Sequence, residues 1–223
     1  MPYLYLVRHA QPDFAGNYDS VTGLGLEQSR WLGEHFASRG LKFVRAISGS
    51  LQRQRSTLEA MATALPGLPA AAVDARFNEY DAATVMHFLG ESSDAALRAT
   101  GDRRKYFLLL RSALLAWASH EGKVPRGETW PEFGARIRSA LDDASAGLGT
   151  RDAVLIVTSG GVIGRTVADT LSANAEAAIQ LNLQTRNTGV TELARGRSST
   201  RVVSFNAVPH LERPDRAHAV THS

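Results

Sequence analysis

Two short runs constrain the fold of this chain more than any other feature. Tyr3-Leu4-Tyr5-Leu6-Val7 and Val154-Leu155-Ile156-Val157 are β-prone and apolar at successive positions, with no polar alternation. Side chains on a strand point alternately to opposite faces, so a strand written this way needs cover on both, as in a parallel sheet sandwiched by helices. Each run then stops at chemistry-bearing residues. Arg8-His9 ends the first, and Thr158-Ser159-Gly160-Gly161 follows the second.

The rest of the pattern agrees with a sheet of that kind. Residues 10–23 hold Gly, Pro, Asn, Asp and Ser and read as a loop. A helical period runs from Leu24 to Ser38 and is stopped by Gly40. Phe43 to Ile47 reads as a strand, Ser48-Gly49-Ser50 as a turn, and Leu51 to Leu65 as a helix. Ala71 to Val73 suggests a short strand and 78–81 a loop. A weak helical pattern covers 83–99, and stronger helices span Arg103 to Ser119 and Trp130 to Gly147. Thr129 and Glu132 form a capping-box signature at the start of the latter. A helix follows Gly161 to about Leu171. Strands near Val190–Ala194 and Arg201–Phe205 close as a hairpin, and no pattern is visible after Pro209. The expected fold is a three-layer α/β/α domain over 1–223, with a mainly parallel sheet, an antiparallel edge and a helical cap at about 80–130.

Composition removes several classes of function. The chain of 223 residues has no cysteine, so disulfides and thiolate chemistry are excluded. No apolar run is long enough for a membrane span, and the N-terminus reads as a strand rather than a secretory signal, so a cytoplasmic location is expected. The net charge of +3 and the pI of about 9.5 come from arginines spread among acids, with no basic run, so nucleic-acid binding is not expected. His218 and His222 are the only His-x-x-x-His pair, and they lie in the patternless tail. Neither a metal nor a cofactor is expected, and there is no Gly-x-Gly-x-x-Gly. Nothing in the sequence points to a particular oligomeric state.

Ligands of open α/β sheets sit at the carboxyl ends of the strands. Arg8-His9, the segment from Ser48 to Arg53, and Ser159-Gly160-Gly161 all fall there, and together they suit an anion. Arg8 and Arg53 can fork onto phosphate oxygens. Ser159 and the backbone of Gly160 and Gly161 open a helix whose free N–H groups favour negative charge. A neutral His9 could take up a phosphoryl group, splitting one displacement into two. A carboxylic acid must then protonate the leaving group. Glu79 is the first candidate and Asp81 the second.

These residues carry a resemblance. Val7-Arg8-His9-Ala10-Gln11 resembles the Arg-His-Gly signature of the histidine phosphatase superfamily, which includes the cofactor-dependent phosphoglycerate mutases. Val21-Thr22, Gly25 and Gln28-Ser29 match its Leu-Thr-x-x-Gly-x-x-Gln-Ala segment. Ser48, Leu51, Arg53 and Thr57 match Ser-Ser-x-Leu-x-Arg-Ala-x-Gln-Thr, and Glu79 falls where the family keeps its proton donor. Val154 to Gly161 is similar to the strand that usually ends in Ser-His-Gly-Gly. The resemblance covers 1–60 and 150–210 well and 70–130 poorly. It implies a phosphoglycerate mutase-like fold and a metal-independent phosphomonoesterase working through a phosphohistidine on His9.

Two departures from that pattern matter most for the chemistry. Ala10 replaces a glycine, and Ser159 replaces the second family histidine, a charge-assisted donor exchanged for a neutral one. Such a loss typically costs on the order of 10²–10³ in rate. With Asn78-Glu79-Tyr80-Asp81 and the Phe205 to Leu211 segment, the Ser-Gly-Gly form resembles a bacterial branch. His210 is an auxiliary candidate for the missing ring. His87, in an apolar stretch, reads as a packed residue, and His35 and His120 as helix-surface residues. The expected partner is a phosphorylated small molecule or a phosphoprotein. A phosphate-recognising binder or pseudo-enzyme is the alternative. A mutase ranks lower, because no extra basic cluster is dedicated to a bisphosphate primer.

Overall fold

A computed structural model describes residues 1–90, 97–98, 100–124, 127–196 and 199–222. Its sheet contains β1 (Tyr3–Arg8), β2 (Arg45–Ser48), β3 (Ala71–Val73), β4 (Ala153–Thr158), β5 (Val190–Arg195) and β6 (Thr200–Ala207). The order is β3-β2-β4-β1-β5-β6, which puts the two apolar runs side by side at the centre. β3, β2, β4 and β1 are parallel, and Arg8 pairs with Thr158 in register. β5 and β6 form the antiparallel edge.

Both faces are covered, as the uninterrupted apolar runs require. Tyr5, Val7, Leu155 and Val157 pack under α1 (Gly23–Ser38) and α2 (Gln52–Ala62), against Leu32, Phe36 and Met61. Leu4, Leu6, Val154 and Ile156 face the opposite way, towards α5 (Trp130–Ser145) and α6 (Gly160–Thr170). Leu6 and Ile156 are wholly buried, so truncating either to alanine should cost on the order of 2–5 kcal/mol. α3 (Ala82–His87) and α4 (Arg103–Ser119) lie on that side too, and Val85, Met86, Tyr106, Leu110 and Trp117 extend the same core. The Thr129–Glu132 capping box forms, with Glu132 accepting from Thr129 N and Thr129 from Glu132 N.

Several expectations are corrected. The helical pattern expected over 83–99 is α3 alone over Ala82–His87 and helical backbone at 97–98. Residues 91–96 and 99 lie outside the described residues. A helix not anticipated, α7 (Ala175–Gln184), is capped by the Asn174 side chain and packs on α6. The tail after Pro209 is ordered against α1. Val208, Leu211 and Ala219 cluster with Leu24 and Trp31, and Gln28 Nε2 donates to Ala219 O at 2.7 Å and to Thr221 Oγ1 at 2.9 Å. No helix among the described residues is long and apolar enough to cross a membrane.

Candidate active site

The parallel register of β1 with β4, and of β4 with β2, brings three loops to one edge of the sheet. His9 leaves β1 there. Its N–H donates to Thr158 O at 2.8 Å, its carbonyl accepts from Asn187 Nδ2 at 3.2 Å, and the residue as a whole is 1% exposed. Nδ1 lies 2.9 Å from Ala10 O. A carbonyl only accepts, so Nδ1 carries the proton and Nε2 keeps its lone pair. Burial, reinforced by Arg53 and Arg8, holds the imidazole pKa well below the usual histidine range, so the ring is neutral near pH 7.

Two arginines flank that ring, each tied at one end only. Arg8 Nη1 donates to Thr185 O at 2.5 Å. Arg53 Nη1 pairs with Asp19 Oδ1 at 2.9 Å. Asp19 also accepts from Gln52 N, fixing the start of α2. Arg8 Nε and Arg53 Nε are buried and have no hydrogen-bond partner among the described residues. A buried donor left unmade costs about 1–3 kcal/mol, more when charged, and an oxyanion between the two guanidinium groups would remove that cost. Tyr18 stands beside them, 5.0 Å from the Arg53 guanidinium and edge-on to His9.

Glu79 follows the short 3₁₀ turn Ala75–Phe77. Arg136 braces this loop from α5, donating to Arg76 O at 2.6 Å and Asn78 O at 2.8 Å while paired with Glu128. Glu79 Oε2 accepts from Gly161 N at 2.9 Å. A Cβ at Gly161 would strike Glu79 Oε1 and the Tyr80 ring, so the carboxyl reaches the helix end only because residue 161 is glycine. Burial raises the Glu79 pKa above the usual carboxylate range. The Gly161 N–H and the two arginines offset part of that rise.

The sequence-derived candidates therefore divide. Arg8, His9, Arg53 and Glu79 converge, and Arg8, Arg53 and Glu79 line a cavity of about 610 Å³. The Gly161 N–H, expected to face phosphate, is taken by Glu79. Gly160 and Ser159 are buried beneath, with Ser159 Oγ accepting from Gln54 Nε2 at 2.9 Å. Asp81 lines the cavity but caps α3, accepting from Ala83 N and Thr84 Oγ1. His210 does not reach the cavity. It is buried in the tail with Nε2 2.8 Å from Thr188 Oγ1, and Thr188 N donates to Arg8 O behind the site. His87, expected to be packed, is exposed. His35 is half-buried near His210 rather than on the surface.

Sequence reasoning missed Tyr18, Asp19, Gln54 and Arg136. Asp19 and Tyr18 sit in a polar loop whose composition carries no sign of which residue turns inward. The outer cavity wall adds Tyr106, Phe107, Leu110 and Leu183. Arg98 is there too, with its guanidinium 4.8 Å from the Tyr18 ring. Among the described residues no group of three His, Cys, Asp or Glu side chains could hold a metal ion.

Comparison with known proteins gives the same direction. The family described as "Histidine phosphatase superfamily (branch 1)" matches residues 4–208. A curated relative, the mitochondrial serine/threonine-protein phosphatase PGAM5 of Rattus norvegicus, is 33% identical over 69 residues, 30% of this chain and 24% of the relative. The match thus spans about a quarter of that relative's length. Among solved structures, Bacillus stearothermophilus YhfR superposes with a TM-score of 0.72 at 19% identity, over 95% of this chain and 100% of that one. Entamoeba histolytica phosphoserine phosphatase, in complex with 3-phosphoglyceric acid, superposes at 0.66 with 19% identity, over 95% and 100% of the two chains.

Proposed function

The chain belongs to the histidine phosphatase superfamily, branch 1, and on that premise we propose that it is a phosphomonoesterase whose nucleophile is His9. The observation that carries this reading is a neutral, buried imidazole with a free Nε2, set beside two arginines whose Nε donors have no partner. His9 Nε2 attacks phosphorus, the P–O bond to the leaving group breaks, and Glu79 gives its proton to the departing alkoxide. Water then attacks the phosphohistidine and Glu79 takes back a proton. The P–N bond breaks and inorganic phosphate leaves. Arg8 and Arg53 offset the charge on the phosphoryl oxygens throughout, a role that needs no metal.

The raised carboxyl of Glu79 suits this double role, because an acid that holds its proton closer to neutrality can donate it and recover it. Small phosphorylated molecules are the first substrate class. The cavity of about 610 Å³ falls within the roughly 300–1,000 Å³ common for such ligands, and the Entamoeba enzyme is named for phosphoserine. Phosphoprotein is the second, prompted by the name of the curated relative. The neutral donor Ser159 favours attenuated turnover, and in the extreme a phosphate-recognising binder without turnover.

Hydrolysis of p-nitrophenyl phosphate between about pH 5 and 8, with a chelator present, separates these readings. His9→Ala should lose on the order of 10⁴-fold or more, and Glu79→Gln on the order of 10²–10⁴-fold. The acid limb of kcat/KM should lie below the ordinary histidine pKa, since His9 charges only there. The alkaline limb should follow loss of the Glu79 proton and vanish in Glu79→Gln. Wild-type hydrolysis that survives His9→Ala, or that the chelator abolishes, would refute the assignment.

A further inference from the structure

Gln54 is fully buried in the first turn of α2, one residue after Arg53. Its amide has one permitted orientation. Nε2 lies 3.1 Å from the Phe77 carbonyl, which can only accept. The same Nε2 donates to Ser159 Oγ at 2.9 Å, so both amide hydrogens are committed and Ser159 is the receiver. Ser159 Oγ has no second partner among the described residues, which leaves its own hydroxyl hydrogen unassigned.

Room for the amide comes from Gly49. A Cβ there would collide with Gln54 Oε1 and stand 2.6 Å from Asn78 Oδ1. Gly49, Gln54 and Ser159 occupy the positions where the family pattern given above has Ser, Ala and His. Three departures separated by up to 110 positions in the chain are thus one contact cluster. The cluster sits between nucleophile and acid. Thr158, just before Ser159, receives the His9 N–H, and Gly161, two residues on, holds Glu79.

We propose that Gly49, Gln54 and Ser159 form a single donor unit in place of an imidazole: Gln54 is a positioning residue that makes Ser159 an acceptor, so that the Ser159 hydroxyl donates to a phosphoryl oxygen held by Arg8 and Arg53. This rests on the phosphoryl-transfer reading of the site. Accepting from Gln54 leaves the Ser159 hydroxyl hydrogen available to a ligand, and a donor that is itself receiving a hydrogen bond is strengthened. One consequence is specific. Restoring a histidine at 159 in the serine's rotamer would drive ring atoms into the Gln54 amide, so the ring is tolerated only if residue 54 is also made small.

The test is a double-variant cycle read by orthovanadate affinity in calorimetry and by kcat on p-nitrophenyl phosphate, with thermal unfolding as the folding control. Gln54→Met keeps the volume and loses the hydrogen bonds. It and Ser159→Ala should each weaken vanadate binding and lower kcat about tenfold, and the double variant should be no worse than Ser159→Ala. Ser159→His alone should gain nothing, and adding Gln54→Ala should recover at least about tenfold. Losses that multiply in the double variant, or a gain from Ser159→His without change at 54, overturn the proposal. If Gln54→Met does not fold, the Ser159→His pair decides alone. Multiplying losses in a wild type that binds vanadate and turns over break only this unit. A wild type that neither binds vanadate nor shows His9-dependent hydrolysis breaks the phosphoryl-transfer reading, and the unit falls with it.

Discussion

The two ends of the cavity are built by different means. At the transfer end, each key side chain leaves a strand or helix start whose backbone is tied to a neighbour: His9 N–H to Thr158 O, Ala10 N–H to Thr57 Oγ1, Gly161 N–H to Glu79. At the outer end, Tyr106, Phe107 and Leu110 hang from α4, and Arg98 reaches across to the Tyr18 ring. A ladder of strands fixes positions through its register, whereas a helix docked on other helices can shift or be replaced without disturbing that register. The rigid end can therefore hold the chemistry while the helical end sets which ester enters.

Two substitutions sharpen that contrast. Arg53→Ala removes a donor at the rigid end and should lower kcat/KM by on the order of 10²–10³ by a similar factor for every ester tried. A loss confined to one class of substrate would show that Arg53 recognises the leaving group instead. Phe107→Ala, at the helical end, should change KM about three- to tenfold for p-nitrophenyl phosphate and little for glycerol phosphate, with kcat nearly constant. Equal effects on both esters would erase the distinction between the two ends.

The smallest expected effect concerns stability behind the site. Burial, with His35 and Arg216 nearby, pushes the His210 pKa down to about 3. Its neutral form stabilises the fold fully above the unfolded value near 6.5, and that contribution is lost as pH falls towards 3. By pH 5 the loss is about 2 kcal/mol. His9 is depressed in the same direction, and the raised Glu79 acts in the opposite one. Urea unfolding of wild type and His210→Asn at pH 7 and 5 checks this. The variant should show a shallower pH dependence, and an unchanged slope would mean that His210 is not buried neutral.

The transfer end was also the legible one. Arg8-His9 and Thr158 to Gly161 stand out because each interrupts an apolar run at the point where a parallel sheet collects its ligands. Arg53 was legible from its place at a helix start. What stayed hidden depends on contacts between distant segments. Nothing local marks Tyr18 or Asp19 as turning inward, and the tail is ordered by three buried residues, Val208, Leu211 and Ala219, too few to leave a period. The Gly161 N–H was assigned to phosphate because the reach of Glu79 to that helix end depends on a loop that Arg136 braces from α5. α7 differs, since the Asn174 cap and the Ala, Leu and Gln positions after it were a readable local signal.

The central claim is a covalent one, and trapping tests it most directly. Wild type, His9→Ala and Glu79→Gln would be mixed with p-nitrophenyl phosphate, quenched in base, where phosphohistidine survives, and mapped by peptide mass spectrometry. The expected result is one phosphoryl group on the peptide containing His9, enriched in Glu79→Gln and absent in His9→Ala. Turnover at the wild-type rate with no phosphoryl group on His9, or with the group on another residue, would contradict it.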